Sequence, residues 1–310
     1  MTNRVFGMVT TNASWMYTIH ALSSFAVTTP MEEGDQFILI DNDGAASASK
    51  MFDNAPIKNF SVHKNESKKS FAENANFILS KAMETSSDFI FMNNDIVFTP
   101  GWLQPLLLNT SNIVVPCCNQ HIQYNTEQLN TKHSMELEEF LGKESVLSGI
   151  VDYHKRTVKE KRTEAKEFYS QYLTIPFYCV RIPESVYSKV GMFDTQFGVG
   201  GAEDTDYCLR SYLAGCGVYL ALEPYLLHFQ GKSTWRGPET AFETATRNSD
   251  YTVAFSDKWG VSLTKLLLKG DSQVVFQDKT MLEMFESRKL TELINAMLSF
   301  DGFELPEIKL

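Results

Sequence analysis

Three short segments of this chain place acids or an imidazole where a strand stops or a helix starts. Asp88-Phe89-Ile90-Phe91-Met92 is an apolar strand that runs into Asn93-Asn94-Asp95, two amides and a carboxylate. Glu203-Asp204 follows the glycine-rich turn Phe197-Gly198-Val199-Gly200-Gly201-Ala202 and opens the helix-like run Thr205 to Arg210. His228 closes the strand-like run Val218 to Leu227, just ahead of Gln230-Gly231-Lys232-Ser233. Two carboxylates and an imidazole at such ends suit cation-assisted group transfer. One group holds a divalent metal, one takes a proton and one completes the coordination. A glycine flanked by donors suits an anion, which adds Lys232 and Trp235 as groups to close over a phosphate or an acceptor.

The elements that must position these residues alternate. Val5 to Thr10 is a short strand, Ser14 to Phe25 has helical spacing, and Gln36 to Ile40 is a second buried strand ending at Asp41. Phe60 to His63 is a third strand, and Phe71 to Met83 reads as a helix before the strand at Asp88–Met92. Strands alternating with helices predict an α/β fold, a mostly parallel sheet flanked by helices. Ligands then sit beyond the carboxyl ends of the strands. Thr10, Asp41 and Asp95 all lie at those ends, so they are expected to share one site. Thr10, Thr11 and Asn12 offer hydroxyls and an amide there, and Asp41 offers an acceptor for a ribose hydroxyl or a base imide.

The bulk properties set limits. A composition of 43% apolar and 21% charged residues is that of an ordinary globular chain, so disorder is not expected. A net charge of −10 argues against non-specific coating of nucleic acid and leaves room for a local basic patch. No apolar run approaches the roughly 20 residues that span a bilayer. The start Met1-Thr2-Asn3-Arg4 passes directly into a strand, which implies no signal peptide. The cysteines, with Cys117-Cys118 adjacent and no metal-ligand spacing, suit a reducing compartment. The expectation is a soluble, cytoplasmic protein.

The ordered set of motifs resembles a family-2 nucleotide-sugar glycosyltransferase of the GT-A (Rossmann-like) fold, in its rhamnosyltransferase-like branch. The resemblance covers residues 4–118 and 176–260. It is strongest from Val190-Gly191-Met192-Phe193-Asp194 through Gly201-Ala202-Glu203-Asp204-Thr205-Asp206-Tyr207-Cys208-Leu209-Arg210. The resemblance implies an inverting transferase that uses Mn2+ or Mg2+ and a UDP- or dTDP-sugar. Asp95 is then the last residue of a motif like the family's Asp-x-Asp and the main anionic metal ligand, with Asn93 at the first acidic position. Asn93 and Asn94 are expected beside the sugar nucleotide. Asp204 corresponds to the base that deprotonates the acceptor hydroxyl, although Glu203 and Asp206 stand close enough to compete. His228 resembles the late histidine that reaches the metal or the phosphates. Asn65, Phe71 and Asn74 resemble the family's Asn-x-Gly-Phe…Asn segment, but Glu66-Ser67-Lys68-Lys69-Ser70 replaces its short glycine link.

The expected organisation is a nucleotide-sugar half at 1–118, a helical, acceptor-related insertion at 119–175, a catalytic half at 176–260 and a C-terminal helical extension at 261–310. In that extension Met281, Leu282, Phe285, Leu290, Leu293 and Leu298 form an amphipathic pattern that suits packing on the core. Laid on a helix, residues 153–173 place Lys155, Lys159, Arg162 and Lys166 in one basic stripe beside an apolar one. The plain reading is a docked helix whose basic side chains snorkel at its edge. The sharper one is contact with a polyanionic acceptor. The resemblance implies a glycan or glycolipid acceptor, and the basic stripe adds a second, hydroxymethylated bases of DNA as some bacteriophages encode. A catalytically inactive sugar-nucleotide-binding module is the alternative of another class. A nucleotidyltransferase is disfavoured, because Thr10-Thr11-Asn12-Ala13 is not a glycine-rich phosphate loop.

Overall fold

The structure is a computed structural model that describes residues 2–43, 55–119, 123–124, 127–128, 135–164, 168–229, 231 and 239–303, with the backbone alone at 123–124, 127–128, 158–164 and 224. Its first half is built from β1 (Arg4–Thr10), α1 (Trp15–Thr28), β2 (Gln36–Asp41), β3 (Phe60–Lys64), α2 (Phe71–Glu84) and β4 (Asp88–Met92). These strands are parallel, in the order β3-β2-β1-β4. β1 and β4 are buried along their whole length, as their unbroken apolar runs require of strands covered on both faces. Gly7 is what lets α2 lie close on β1: a Cβ there would stand 2.6 Å from Ile78. α2 begins in a capping box, with Glu73 N–H donating to Ser70 Oγ at 3.1 Å and Ser70 N–H to Glu73 Oε2 at 2.8 Å.

The second half continues with β5 (Ile96–Val97), α3 (Gln104–Leu108), β6 (Ile113–Cys118), a separate two-stranded pair β7 (Gln123–Tyr124) and β8 (Glu127–Gln128), α4 (Leu137–Leu141), α5 (Val146–Glu164), β9 (Tyr169–Gln171), β10 (Cys179–Ile182), α6 (Glu184–Val190), α7 (Glu203–Leu213) and β11 (Val218–His228). Here the sheet is mixed. β10 runs antiparallel between β4 and β6, while β11 is parallel to β6 and antiparallel to β9 and β5. The α/β class stands; the parallel character holds for β1 to β4 and for the β6–β11 pair. β11 changes register between Ala221 and Tyr225, where four steps along it match the single step from Pro116 to Cys117 on β6. Pro224, which has no N–H to give a ladder, lies within that irregular stretch.

Within residues 119–175, α4 and α5 are tied together by ion pairs. Arg156 reaches Glu139 at 2.6 Å and Asp152 at 2.9 Å, and Lys143 reaches Asp152 at 2.9 Å. Ile150 and Tyr153 are buried, and the Tyr153 hydroxyl donates to the Leu226 carbonyl of β11 at 3.3 Å. The helix pair therefore leans on the end of the strand that carries His228.

The C-terminal part comprises α8 (Ala241–Leu268), α9 (Gln273–Phe276), α10 (Lys279–Glu286) and α11 (Leu290–Phe300). The amphipathic pattern from Met281 to Leu298 is two helices rather than one, parted at Arg288, whose φ is 57°. α8 breaks at Gly260, with φ 80°, and Asp301 caps the restart. Its carboxylate accepts from Ser262 N–H and from Ser262 Oγ, both at 2.6 Å.

The sheet's centre is pinned by a buried ion pair. Arg181 on β10 donates from Nε and Nη2 to Asp88 Oδ2 at 2.9 and 2.7 Å, and from Nη1 to the Leu106 carbonyl at 2.8 Å. Removing one partner strands the other charge, which costs about 3–5 kcal/mol. Arg181→Met is therefore expected to lose that much in urea unfolding. The double variant Arg181→Met/Asp88→Leu should recover most of it.

Candidate active site

The carboxyl ends of β1, β2 and β4 form one edge, as the parallel register dictates: Thr10 lies opposite Asp41, and Met8 opposite Met92. Most of the polar residues expected here face inward and tie the edge together. Thr10 Oγ1 lies 2.6 Å from Thr18 Oγ1, and the Thr11 hydroxyl lies 3.0 Å from that of Ser14. Asp41 is buried, and Asn12 is exposed with its N–H on Asp43 Oδ2 at 2.8 Å. Asn65 and Asn74 meet around Asn42, which sequence reading passed over. Asn65 Nδ2 donates to Asn42 Oδ1 at 2.8 Å and to Asn74 Oδ1 at 2.9 Å, and Asn74 Nδ2 donates to Asn42 Oδ1 at 3.1 Å. Asn42 also takes the Lys69 N–H at 3.0 Å, so this cluster sets the path of the chain into α2.

The turn after β4 is held from both sides. Asn93 N–H donates to the Tyr178 carbonyl at 2.7 Å, and Asn94 Nδ2 donates to Ser14 Oγ at 2.7 Å and Thr18 Oγ1 at 2.8 Å. Asn94 is fully buried and serves to anchor the turn on α1. Asp95 is thereby aimed at His228, with Oδ1 and Nε2 3.1 Å apart and both residues buried. Phe229 N–H donates to the Asp95 carbonyl at 2.9 Å, and β5 pairs Ile96 with His228. Asn119 brackets the same strand end: its Nδ2 donates to the His228 carbonyl at 2.9 Å, and its Oδ1 accepts from His228 N–H at 2.6 Å. The Tyr178 ring stacks on the imidazole at 5.3 Å.

This pair suits a shared divalent cation. The two side chains are in direct hydrogen-bond contact at 3.1 Å, which is also about the 3.0 Å that separates neighbouring ligands of an octahedral ion when each stands at about 2.1 Å. Among the described residues no group of three or more His, Cys, Asp or Glu is assembled for a metal. The remaining positions would fall to water and ligand oxygens, as is usual where a cation is held together with phosphates.

At the start of α7, three acids take three different environments. Glu203 is buried and its Oε2 accepts from Gly201 N–H at 2.5 Å. Burial first, and the neighbouring Asp204 carboxylate second, push it up to about 7. Asp204 is part-exposed, and burial pushes it up to about 6 against hydrogen bonds from the N–H groups of Thr205, at 2.7 Å, and Phe177. Asp206 is fully buried and fully employed: Arg210 Nε and Trp259 Nε1 donate to it at 2.8 Å, and Lys258 Nζ reaches it at 2.6 Å. Asp206 therefore joins α7 to α8 and is withdrawn from the competition for a base. Asp206→Ala should leave Lys258 and Arg210 without their buried carboxylate and cost about 3–5 kcal/mol, seen as a fall in the urea midpoint.

The two acid centres are bridged by two consecutive residues. Phe177 donates its N–H to Asp204, and Tyr178 touches both Asn93 and His228. Asp95, His228 and Asp204 thus stand around the start of β10. A cleft of about 660 Å3 runs between Lys68, Lys69, Ser70 and Glu73 at the head of α2 and Thr195, Gly198 and Val199 ahead of α7; Asp95, Asp204 and His228 are not among its lining residues. Lys155 is exposed on α5. Lys166, Lys232 and Trp235 lie outside the described residues, as do the side chains of Lys159 and Arg162. Sequence reading missed Tyr178, Asn42 and Asn119. Pro176-Phe177-Tyr178 ahead of a strand was the one local signal for the first of them.

No model of a known protein family and no curated protein matches the sequence. Solved structures share the fold. A structure of GalNAc-T7 with UDP, GalNAc and Mn2+ superposes with a TM-score of 0.57 at 14% identity, over 95% of this chain and 55% of that one. A mannosyltransferase from Pyrobaculum calidifontis, in complex with GDP-Man and Mn2+, gives 0.51 at 12% identity over 98% and 76%. The chain thus spans about half the length of the GalNAc-T7 structure. The architecture is the GT-A fold of these glycosyltransferases.

Proposed function

We propose that the chain is an inverting, metal-dependent glycosyltransferase that moves a sugar from a nucleotide-diphosphate donor to an acceptor hydroxyl. One observation carries this reading: a carboxylate and an imidazole set at cation-sharing distance, joined through Phe177-Tyr178 to a part-exposed acid whose affinity for protons is raised. Asp95 and His228 would hold Mn2+ or Mg2+. Bound there, the cation would offset the charge that grows on the departing diphosphate. Asp204 takes the proton of the acceptor hydroxyl as that oxygen attacks the anomeric carbon from the face opposite the diphosphate, so one displacement inverts the configuration. Burial makes Asp204 a stronger base than an ordinary aspartate while its partial exposure leaves it reachable. Thr11, Asn12 and Asp41 border the nucleotide end, with Thr10, Asn65 and Asn74 as its framework.

The donor is a UDP- or dTDP-sugar, as in the rhamnosyltransferase-like branch, and the acceptor a glycan or glycolipid met by residues 119–175. Exposed Lys155, followed in sequence by Lys159, Arg162 and Lys166 at helical spacing, supports a second acceptor, hydroxymethylated phage DNA. An inactive binding module is disfavoured by the presence of Asp95, Asp204 and His228 together, and donor hydrolysis abolished by Asp204→Asn would exclude it. The buried cysteines form no disulfide, which suits the cytoplasm, and no described helix is long and apolar enough to cross a membrane. The test is thermal stability with UDP-glucose, UDP-N-acetylglucosamine, dTDP-rhamnose and GDP-mannose, each with and without Mn2+. One donor should raise the midpoint only with the metal, because a ligand of the folded state stabilises it by mass action. No shift with any of them removes the reading. Transfer to hydroxymethylated duplex DNA that falls steeply with salt would select the second acceptor.

A further inference from the structure

The turn that leads into Glu203 and Asp204 is neither helix nor strand. Gly198 and Gly200 have φ of 71° and 146°, backbone conformations that favour glycine. Its shape is set from outside. On one side Phe71 N–H of α2 donates to the Val199 carbonyl at 3.4 Å. On the other, two residues one turn apart on α8 grip it. Arg247 Nη1 donates to the Gly200 carbonyl at 3.1 Å, and the Tyr251 ring lies so close over Gly201 that any Cβ there would overlap it. The Arg247 guanidinium packs 5.9 Å from the Tyr251 ring centroid.

The other edge of Arg247 is also engaged. Its Nε donates to both oxygens of Glu239, at 3.0 and 3.2 Å, and the two side chains are largely buried. Glu239 follows residues 232–238 directly and also accepts from Thr244 Oγ1 at 3.2 Å. Arg247 therefore links three things: the end of the segment that leaves β11 beyond His228, the glycine turn, and the acids that follow it. The charged groups facing Glu203 are Asp204 on α7, which favours its protonation, and Arg247 on α8, which opposes it.

We infer that Arg247 is a positioning residue for the base: by bridging Glu239 to the Gly200 carbonyl it fixes the turn that presents Asp204 and places its guanidinium charge near Glu203. This rests on the function proposed above for Asp204, but part of it can be measured without any substrate. Arginine suits the task because its planar fork holds a carboxylate and a carbonyl at once, which a lysine cannot reproduce.

The experiment compares wild type, Arg247→Gln and Arg247→Lys. The first readout is the 13C carboxyl titration of Glu203. Its midpoint should move upward in Arg247→Gln and stay near the wild-type value in Arg247→Lys, which keeps the charge. The second is turnover of whichever of the four donors above shifts the wild-type midpoint, with water as acceptor. There kcat should fall 10- to 100-fold in Arg247→Gln with KM changed less than threefold, and its acid limb should move to higher pH. Arg247→Lys should keep the wild-type acid limb and recover part of kcat. An unmoved Glu203 midpoint in Arg247→Gln, or turnover within twofold of wild type, overturns the inference while leaving the donor reading intact. Wild type that binds and turns over no donor overturns both.

Discussion

Asp204→Asn is expected to lower transfer by about two to four orders of magnitude, the usual contribution of a positioned general base, while metal-dependent donor binding persists. Asparagine is nearly isosteric and can still accept from the Thr205 N–H, so the loss chiefly reports the proton. Glu203→Gln should cost less in rate, because that side chain turns back to Gly201. The wild-type rate should fall on the acid side with a limb shared by the coupled pair, between about 6 and about 7. Stability carries the opposite signature. Both folded values lie above the unfolded ones, near 4, so the folded state binds more protons than the unfolded chain between about pH 4 and 7. The associated stability is fully present below about pH 4 and is lost as pH rises through 6 and 7. Asp204→Asn should therefore flatten the decline of the melting midpoint between pH 5 and 8. A rate that survives the substitution would exclude Asp204 as the base.

The second large effect concerns the cation. In Asp95→Ala the rise in the melting midpoint that the donor gives with Mn2+ should disappear, because the oxygen that faces His228 is gone. In wild type a donor at a hundredfold excess over its Kd adds about 2.7 kcal/mol, well within reach of the measurement. The substitution also strips buried His228 of a hydrogen-bond partner, at about 1–3 kcal/mol. The comparison must accordingly be made within the variant, ligand against no ligand. His228→Ala should behave likewise, and an unchanged metal-dependent shift in either variant would dismiss the pair as a cation site.

The strands were legible because their period and their ends are local properties. β1, β2, β3 and β4 fall within a residue or two of the apolar runs that announce them, and the turn residues after them mark the edge where Thr10, Asp41 and Asp95 gather. Strand direction in the second half was not legible. β10 is four residues long, and nothing in Cys179-Val180-Arg181-Ile182 says that it runs against β4. The encounter of Asp95 with His228 followed from both standing at strand ends, whereas the supports of that encounter did not. Asn119, Tyr178 and Ser14 act through contacts formed only once the chain has closed on itself. Asp206 shows the same limit: in sequence it is one of three neighbouring acids, and only its partners on α8 separate it from the other two.

The irregular stretch of β11 has a consequence for evolution. Because four steps there match one on β6, the far end of the strand is drawn back by about 10 Å, three residues' rise, and His228 arrives beside β5. The number of residues at 222–224 sets where the strand ends. Gaining or losing one residue there would turn the imidazole to the opposite face. Alignments of distant relatives that close this gap will pair the histidine with the wrong column.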